Sequence, residues 1–374
     1  MGKARRVTNG KVRYGIVGVG AISQGSFMPG VRNTKNSTIT AIVTGDTDKA
    51  EAMRETYGDL AVYHYDDLDK LIADDVVDAL YVATPNHLHT PYVVPALKAG
   101  IHVLLEKPMA TTEGECKEMM AAAEESGAKL MIAYRLHFEP ATVAAIEQVR
   151  DGTIGAPRLF TSTFSQALDP ENHRAKHGFD AGPVYDLGVY PINACRQYFG
   201  AEPIEVHAVA SRYAEWGFDL DDTVSVTLRF PDDALASFVV SYAMDEYEQY
   251  ELVGTKGSIA FRPAFGYGVG LEYDVKAGGE TQHRTHPETD QFGTEADYFS
   301  RCIIEDKDPE PDGEEGWCDV RIVEAIRRAL ETGTAQKLEP HARKRRIEPS
   351  QAMGLPPAPK VELVDAAQPS RNDD

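Results

Sequence analysis

Two glycines, Gly18 and Gly20, stand where an apolar run, Val12 to Gly18, gives way to a helical pattern. That junction limits what the chain can fold into more than any other feature of it. Gly18 permits a tight turn, and Gly20, followed by Ala21 and Ile22, lets an anion approach the backbone. Ser23 takes the place of a third glycine and is small enough for a helix to pack closely on the strand. Unpaired N–H groups at the start of the helix would then meet a pyrophosphate. A plain turn can carry the same glycines; a strand before and a helix after favour a dinucleotide.

The chain repeats that grammar as far as Ala133. Strand-like runs at Thr38–Thr44, Ala61–Tyr65, Val77–Thr84, His102–Leu105 and Leu130–Ala133 alternate with helical patterns, including Asp48–Tyr57, His89–Ala99 and Glu113–Ser126. Such alternation predicts right-handed βαβ units and a parallel sheet, a doubly wound Rossmann-type α/β domain over 12–139. After Pro157 the texture changes to strand after strand: Arg158–Gln166, Glu205–Tyr213, Thr223–Phe230, Ala234–Tyr242, Tyr250–Leu252 and Ser258–Phe261. Pro231-Asp232-Asp233 reads as a hairpin turn, and short turns between strands argue for a large, mostly antiparallel open sheet. Two closing helices, Glu295–Glu305 and Trp317–Glu331, complete an α+β domain over 140–338. A basic arm, 1–11, precedes the two domains, and a proline-rich extended tail, 339–374, comes after them.

The chain has 374 residues, and 59 Asp and Glu against 38 Lys and Arg leave a net charge of −21. This field repels phosphate backbones and anionic lipid, so neither nucleic acid nor a membrane surface is an expected partner. No apolar run is long enough to span a bilayer. Arg5-Arg6 is followed by no apolar export core, and Cys116, Cys195, Cys302 and Cys318 show no zinc or disulfide spacing. A cytoplasmic location is the expectation. His173, His177, His283 and His286 lack ligand spacing, and no metal is expected.

Three further segments carry candidate chemistry. The second strand ends in Thr44-Gly45-Asp46, with Lys49 beyond. Thr44 and Lys49 suit a 2′-phosphate, whereas Asp46 suits a ribose hydroxyl, so NADP is favoured over NAD; a solvated helix face is the plainer reading of Lys49. At other strand ends lie Thr84-Pro85-Asn86, with His89, and Glu106-Lys107-Pro108, where ligands bind in open α/β sheets. Lys107 beside Glu106 reads equally as a structural ion pair. Asp186 and Tyr190 are four apart in a helical run and share one face. A phenol, with an ordinary pKa near 10, needs a neighbouring cation to act as a base near neutrality. Each alone reads better as a core tyrosine and a helix-start carboxylate.

Together with Tyr134-Arg135-Leu136-His137-Phe138-Glu139-Pro140, these motifs resemble the Gfo/Idh/MocA oxidoreductases over roughly residues 10 to 340. The chain is most similar to their glucose–fructose and aldose–aldose oxidoreductase branch. The resemblance implies NADP-dependent oxidation of an aldose at its anomeric carbon to a lactone, with a second sugar reduced by the bound NADPH in the coupled variant. It implies that Lys107 binds the reacting hydroxyl, Tyr190 takes its proton and Asp186 orients the sugar. Tyr134 would line the sugar site and Arg135, with Glu106, the cofactor site. A homodimer or homotetramer through the open sheet is implied too. A dehydrogenase of another polyol, anhydro-sugar or dihydrodiol is the nearest alternative, and a non-catalytic NADP-binding regulator the more distant one. The run Arg343-Lys344-Arg345-Arg346 reads as a solvated surface cluster.

Overall fold

The computed structural model describes residues 2–7 and 9–366, which form two compact units. Of the described residues, the first comprises 2–7, 9–138, 290–317 and 353–366, and the second 139–289 and 318–352.

The first unit is built on six parallel strands in the order β3-β2-β1-β4-β5-β6: β1 (Val12–Val17), β2 (Ser37–Val43), β3 (Ala61–Tyr63), β4 (Ala79–Val82), β5 (His102–Glu106) and β6 (Leu130–Ala133). All but β3 are largely buried, because helices cover both faces of a parallel sheet. The crossovers are α1 (Met28–Arg32), α2 (Thr47–Tyr57), α3 (Leu68–Ala73), α4 (His89–Lys98) and α5 (Glu113–Ser126). Thr112 and Glu115 form a capping box at α5, and Gly127 closes it in the left-handed region.

The core of this unit joins Val12, Tyr14, Ile16, Phe27, Ile42, Tyr81 and Leu104 to Ala296 and Phe299. Full burial of each large apolar side chain contributes about 1.5–3 kcal/mol. Ala296 and Phe299 belong to a much later helix, Gln291–Ile304, which crosses α1 so closely that a Cβ on Gly30 would lie 2.6 Å from the Gly293 nitrogen. The N-terminal arm is bound as well. Its backbone pairs with Lys98, Ser126 and Gly100, and Arg5 donates to the carbonyls of Ile72 and Val77.

In the second unit, α6 (Pro140–Arg150) precedes β7 (Pro157–Ala167), and α7 (Val189–Phe199) precedes β8 (Glu205–Ser211), β9 (Thr223–Arg229) and β10 (Leu235–Ser241). Then come β11 (Ala243–Gly254), β12 (Gly257–Phe261), β13 (Glu272–Ala277), β14 (Glu280–Thr285) and β15 (Gln336–Lys337). The helix Gln291–Ile304 of the first unit is α8 in chain order, and Gly313–Thr332 is α9. The sheet runs β14-β13-β12-β11-β7-β10-β9-β8-β15 and is antiparallel except where β10 pairs parallel with β7. Residues 231–233 do turn β9 into β10, with Asp232 and Asp233 both at positive φ.

Buried ionic contacts tie the helices of this unit together. Arg196 on α7 is fully enclosed and binds Glu202 and Asp319; Arg346 reaches the same Glu202 at 2.9 Å. The basic run is therefore not a solvated cluster: Arg343 is buried, Arg346 is spent on Glu202, and of the four only Lys344 is exposed. Among the described residues no group of three His, Cys, Asp or Glu could hold a metal, and no helix is long and apolar enough to cross a membrane. His283 instead pairs with Asp274 and Glu272 on the β13–β14 hairpin. Replacing Arg196 with Met would leave the buried Asp319 without its guanidinium and Glu202 with Arg346 alone, and should cost about 3–5 kcal/mol in urea denaturation. A loss below about 1 kcal/mol would contradict this account of the network.

Candidate functional site

Parallel strands deliver their C-terminal ends to one edge, and the predicted residues of the first unit gather there. At the end of β1, Gly18 has φ +92°, and a Cβ would lie 2.7 Å from the carbonyl oxygen of Ala83 at the end of β4. No residue but glycine fits. Around Gly20 the space where a Cβ would project is open for 4 Å. Ser23 donates to the Gly18 carbonyl at 2.6 Å, fixing the turn from within, and opens a π-helical turn, Ser23–Phe27, that leads into α1. The Thr84 hydroxyl is buried and has no hydrogen-bond partner. An open glycine cradle with an orphaned donor at the next strand end is what a dinucleotide would complete.

At the end of β2, Thr44, Gly45, Asp46, Thr47, Arg54 and His64 line a cleft of about 790 Å³. Asp46 is the N-cap of α2: its carboxylate accepts from the Lys49 backbone N–H at 3.0 Å, which holds its pKa below the usual range. The cap fixes where this carboxylate points and favours its ionised form. Arg54 and His64 escaped the sequence reading, since neither sits in a motif; the turn after β3 brings His64 beside Gly45.

His89 is enclosed, with Nε2 3.0 Å from the Thr84 carbonyl and Nδ1 3.1 Å from that of Met109. Burial lowers its pKa against the two carbonyls, and the ring sits between the β4 and β5 loops. Glu106 ends β5; it accepts from the Tyr81 hydroxyl at 2.5 Å and from the Lys107 backbone N–H at 3.2 Å. Desolvation raises the Glu106 pKa, opposed by Tyr81, Lys107 and Arg135. Arg135 is buried and donates to Gln291 on α8 at 2.6 Å; Tyr134 stacks on His137, which pairs with Glu310 at 3.0 Å. One turn beyond Gln291 lies Glu295, fully enclosed, with neither carboxyl oxygen hydrogen-bonded. Burial, then the charge of Glu106, pushes its pKa well above the carboxylate range, against Arg135. No local motif marks Glu295; only the fold of a distant helix brings it here.

The second unit holds its own cluster. Asp186 lies in a π-helical turn, Val184–Gly188, that runs directly into α7, where Tyr190 sits. Such wide turns are frequent at functional positions, and a second one, Ser23–Phe27, follows the Gly18 motif. Arg174 Nε lies 3.2 Å from Asp186 Oδ2, and the Tyr242 hydroxyl lies 3.1 Å from the same oxygen. The Asp186 charge raises the pKa of Arg174, which also interacts electrostatically with Tyr190. The Tyr190 ring packs against Phe164 and Phe265. Arg174 and Tyr242 were not singled out in the sequence, because a loop and a strand end bring them to Asp186 from outside its helix.

Residues 12–134 match the GFO/IDH/MocA oxidoreductase family with an NAD-binding Rossmann fold, and 142–260 match the GFO/IDH/MocA C-terminal domain. Among related proteins, a D-xylose 1-dehydrogenase [NADP(+)] of Haloarcula marismortui is 31% identical over 89% of this chain and 94% of its own. The aldose–aldose oxidoreductase of Caulobacter crescentus, solved with glycerol, superposes with a TM-score of 0.83 at 35% identity, covering 88% of this chain and all of that one. A 3-ketoreductase of Actinomadura kijaniata, solved with NADP and TDP-benzene, gives 0.78 at 25% identity over 86% and 98% of the two chains.

The enclosed carboxyl of Glu295 yields a prediction with a definite sign. Above about pH 4.3 the unfolded chain loses this proton while the folded one keeps it, so stability falls as pH rises toward the folded pKa. Glu295→Gln removes that loss. Its melting temperature relative to the parent should climb between pH 5 and pH 8; a difference that is flat with pH would refute the neutral carboxyl.

Proposed function

This chain belongs to the Gfo/Idh/MocA oxidoreductase family, and from that premise we propose that it is an NADP-dependent oxidoreductase of aldoses that converts the anomeric CH–OH to a lactone. The observation that carries the cofactor choice is at the end of β2, where Asp46 caps α2 with Lys49 beside it, and Thr44, Arg54 and His64 line the cleft together with Glu51 and Glu55. An NADP(+)-linked xylose dehydrogenase and an aldose–aldose oxidoreductase among its relatives support both cofactor and substrate class.

Gly18, Gly20, Ala21 and Ile22 would hold the pyrophosphate, Thr44, Gly45 and Lys49 the ribose end, and Thr84, Pro85 and Asn86 the nicotinamide end, with His89, Glu106 and Arg135 bracing it. When bound, the dinucleotide supplies the hydride acceptor. The remaining work is proton transfer and placement. In this reading Lys107 donates to the reacting hydroxyl oxygen, its own charge balanced by Glu106. Tyr190 takes the hydroxyl proton as the C–H bond breaks, so charge does not build on the sugar. Asp186 accepts from a second sugar hydroxyl, kept ionised and aimed by Arg174 and Tyr242. Tyr134 contributes an aromatic edge to the sugar.

We also propose a homodimer or homotetramer through the open face of the nine-stranded sheet, where Leu159, Val209 and Leu235 are exposed. The four cysteines are buried thiols outside any disulfide, which suits a reducing cytoplasm.

The direct test is NADP reduction with a panel of aldoses. Free NADPH appearing in step with lactone marks a dehydrogenase; a retained cofactor with a second sugar reduced marks the coupled variant. Inert sugars with NADP still bound would defeat the enzymatic reading. Tyr190→Phe should lower turnover by about 10²- to 10⁴-fold with dinucleotide affinity intact, and unchanged turnover would remove Tyr190 from the mechanism. Arg174→Ala should raise KM for the sugar more than it lowers kcat; the reverse split would assign Arg174 to the chemical step.

A further inference from the structure

Residues 353–366 form a strap across the first unit. It is anchored where the Leu355 carbonyl accepts from the Asp290 N–H at 2.9 Å and the Pro356 carbonyl from the Asn33 side chain at 2.7 Å. Further along, Val364 and Gln24 exchange two hydrogen bonds, 2.9 Å from the Gln24 amide to the Val364 carbonyl and 2.8 Å back. Gln24 is in the π turn directly after the glycine cradle. Leu363 covers its neighbour, reaching within 3.3 Å of where a Cβ on Gly25 would stand. The next residue but one, Asp365, puts Oδ2 3.9 Å from the Lys49 ammonium, which lies 4.0 Å from Asp46 Oδ2, and the Asp365 and Asp46 carboxyls are themselves in hydrogen-bond contact.

The strap therefore changes the charge at the end of β2. Without it, one ammonium stands beside one carboxylate already engaged as a cap. With it seated, two carboxylates share that ammonium. A ribose hydroxyl tolerates or welcomes a carboxylate, whereas a 2′-phosphate is repelled by it. Asp365 is 79% exposed in its side chain, so its pairing with Lys49 is of the weak, easily displaced kind.

We propose that Asp365 is a dinucleotide-selecting residue: seated on Lys49 it disfavours the 2′-phosphate, and NADP must lift it away to bind. The inference rests on the NADP reading of the site. The strap is thus a gate on the choice of dinucleotide, held at Gln24 and released at Lys49.

Isothermal titration of the full chain with NADP and with NAD tests it directly. Asp365→Asn should tighten NADP by about three- to tenfold at low salt, with NAD unchanged, and Asp365→Lys should go further in the same direction. The gain should shrink as ionic strength rises past the point where the Debye length falls to about 8 Å. Limited proteolysis gives an independent readout: NADP should hasten cleavage within 357–366 in the parent, and NAD should not. An unchanged ratio of NADP to NAD affinity in both variants, with NADP still bound, overturns the role of Asp365 alone. If the parent binds neither dinucleotide, the cofactor reading fails and the inference falls with it.

Discussion

At the C-terminal edge of the parallel sheet the backbone passes itself so closely that a side chain at Gly18 would strike the Ala83 carbonyl at 2.7 Å. The rest of the site depends on that approach. It brings the end of β1 beside the end of β4, which in turn sets Thr84 next to the glycine cradle and fixes where His89 can brace the β5 loop. Ser23, bonded to the Gly18 carbonyl, holds the turn rigid from the helix side. A bulkier residue would have to open the strand pair, and every ligand-facing group downstream would move with it.

Charge placement is the second constraint. In the first unit a single guanidinium, Arg135, acts on two enclosed carboxyls, Glu106 and Glu295. Two buried anions beside one cation would be costly, and burial with the Glu106 charge pushes the Glu295 pKa up accordingly. Glu106 is then free to balance Lys107. In the second unit the partly exposed Arg174 and the Tyr242 hydroxyl both bond the same oxygen of Asp186. The two units thus carry separately prepared carboxyls, Glu106 beside the Lys107 backbone and Asp186 between Arg174 and Tyr242.

Most of the first unit was legible in the sequence, because glycine chemistry, strand periodicity and helix caps are local signals. Each of its six strands follows an apolar run that can be read without neighbours. The second sheet was legible as strands and turns, yet β13 and β14 were not foreseen. Their outward residues are charged and polar, and β14 is exposed along its whole length, so no apolar alternation announces it. Helix α6 was missed because its Pro140 start belongs to a motif read for chemistry; Glu139 caps it. Glu295, Arg174, Tyr242, Arg54 and the strap owe their places to contacts distant in sequence, which no pattern within a short window can encode. The π turns at Ser23–Phe27 and Val184–Gly188 were hidden for a different reason: both read as ordinary helix by composition.

The central claim is that this protein moves hydride from the anomeric carbon of an aldose to a bound nicotinamide. An aldose deuterated only at that carbon tests it most directly, with the label followed by NMR after reaction with NADP. The account predicts deuterium at C4 of the nicotinamide ring and an unlabelled lactone. Deuterium retained on the sugar, or exchanged into water while the nicotinamide stays oxidised, would contradict it.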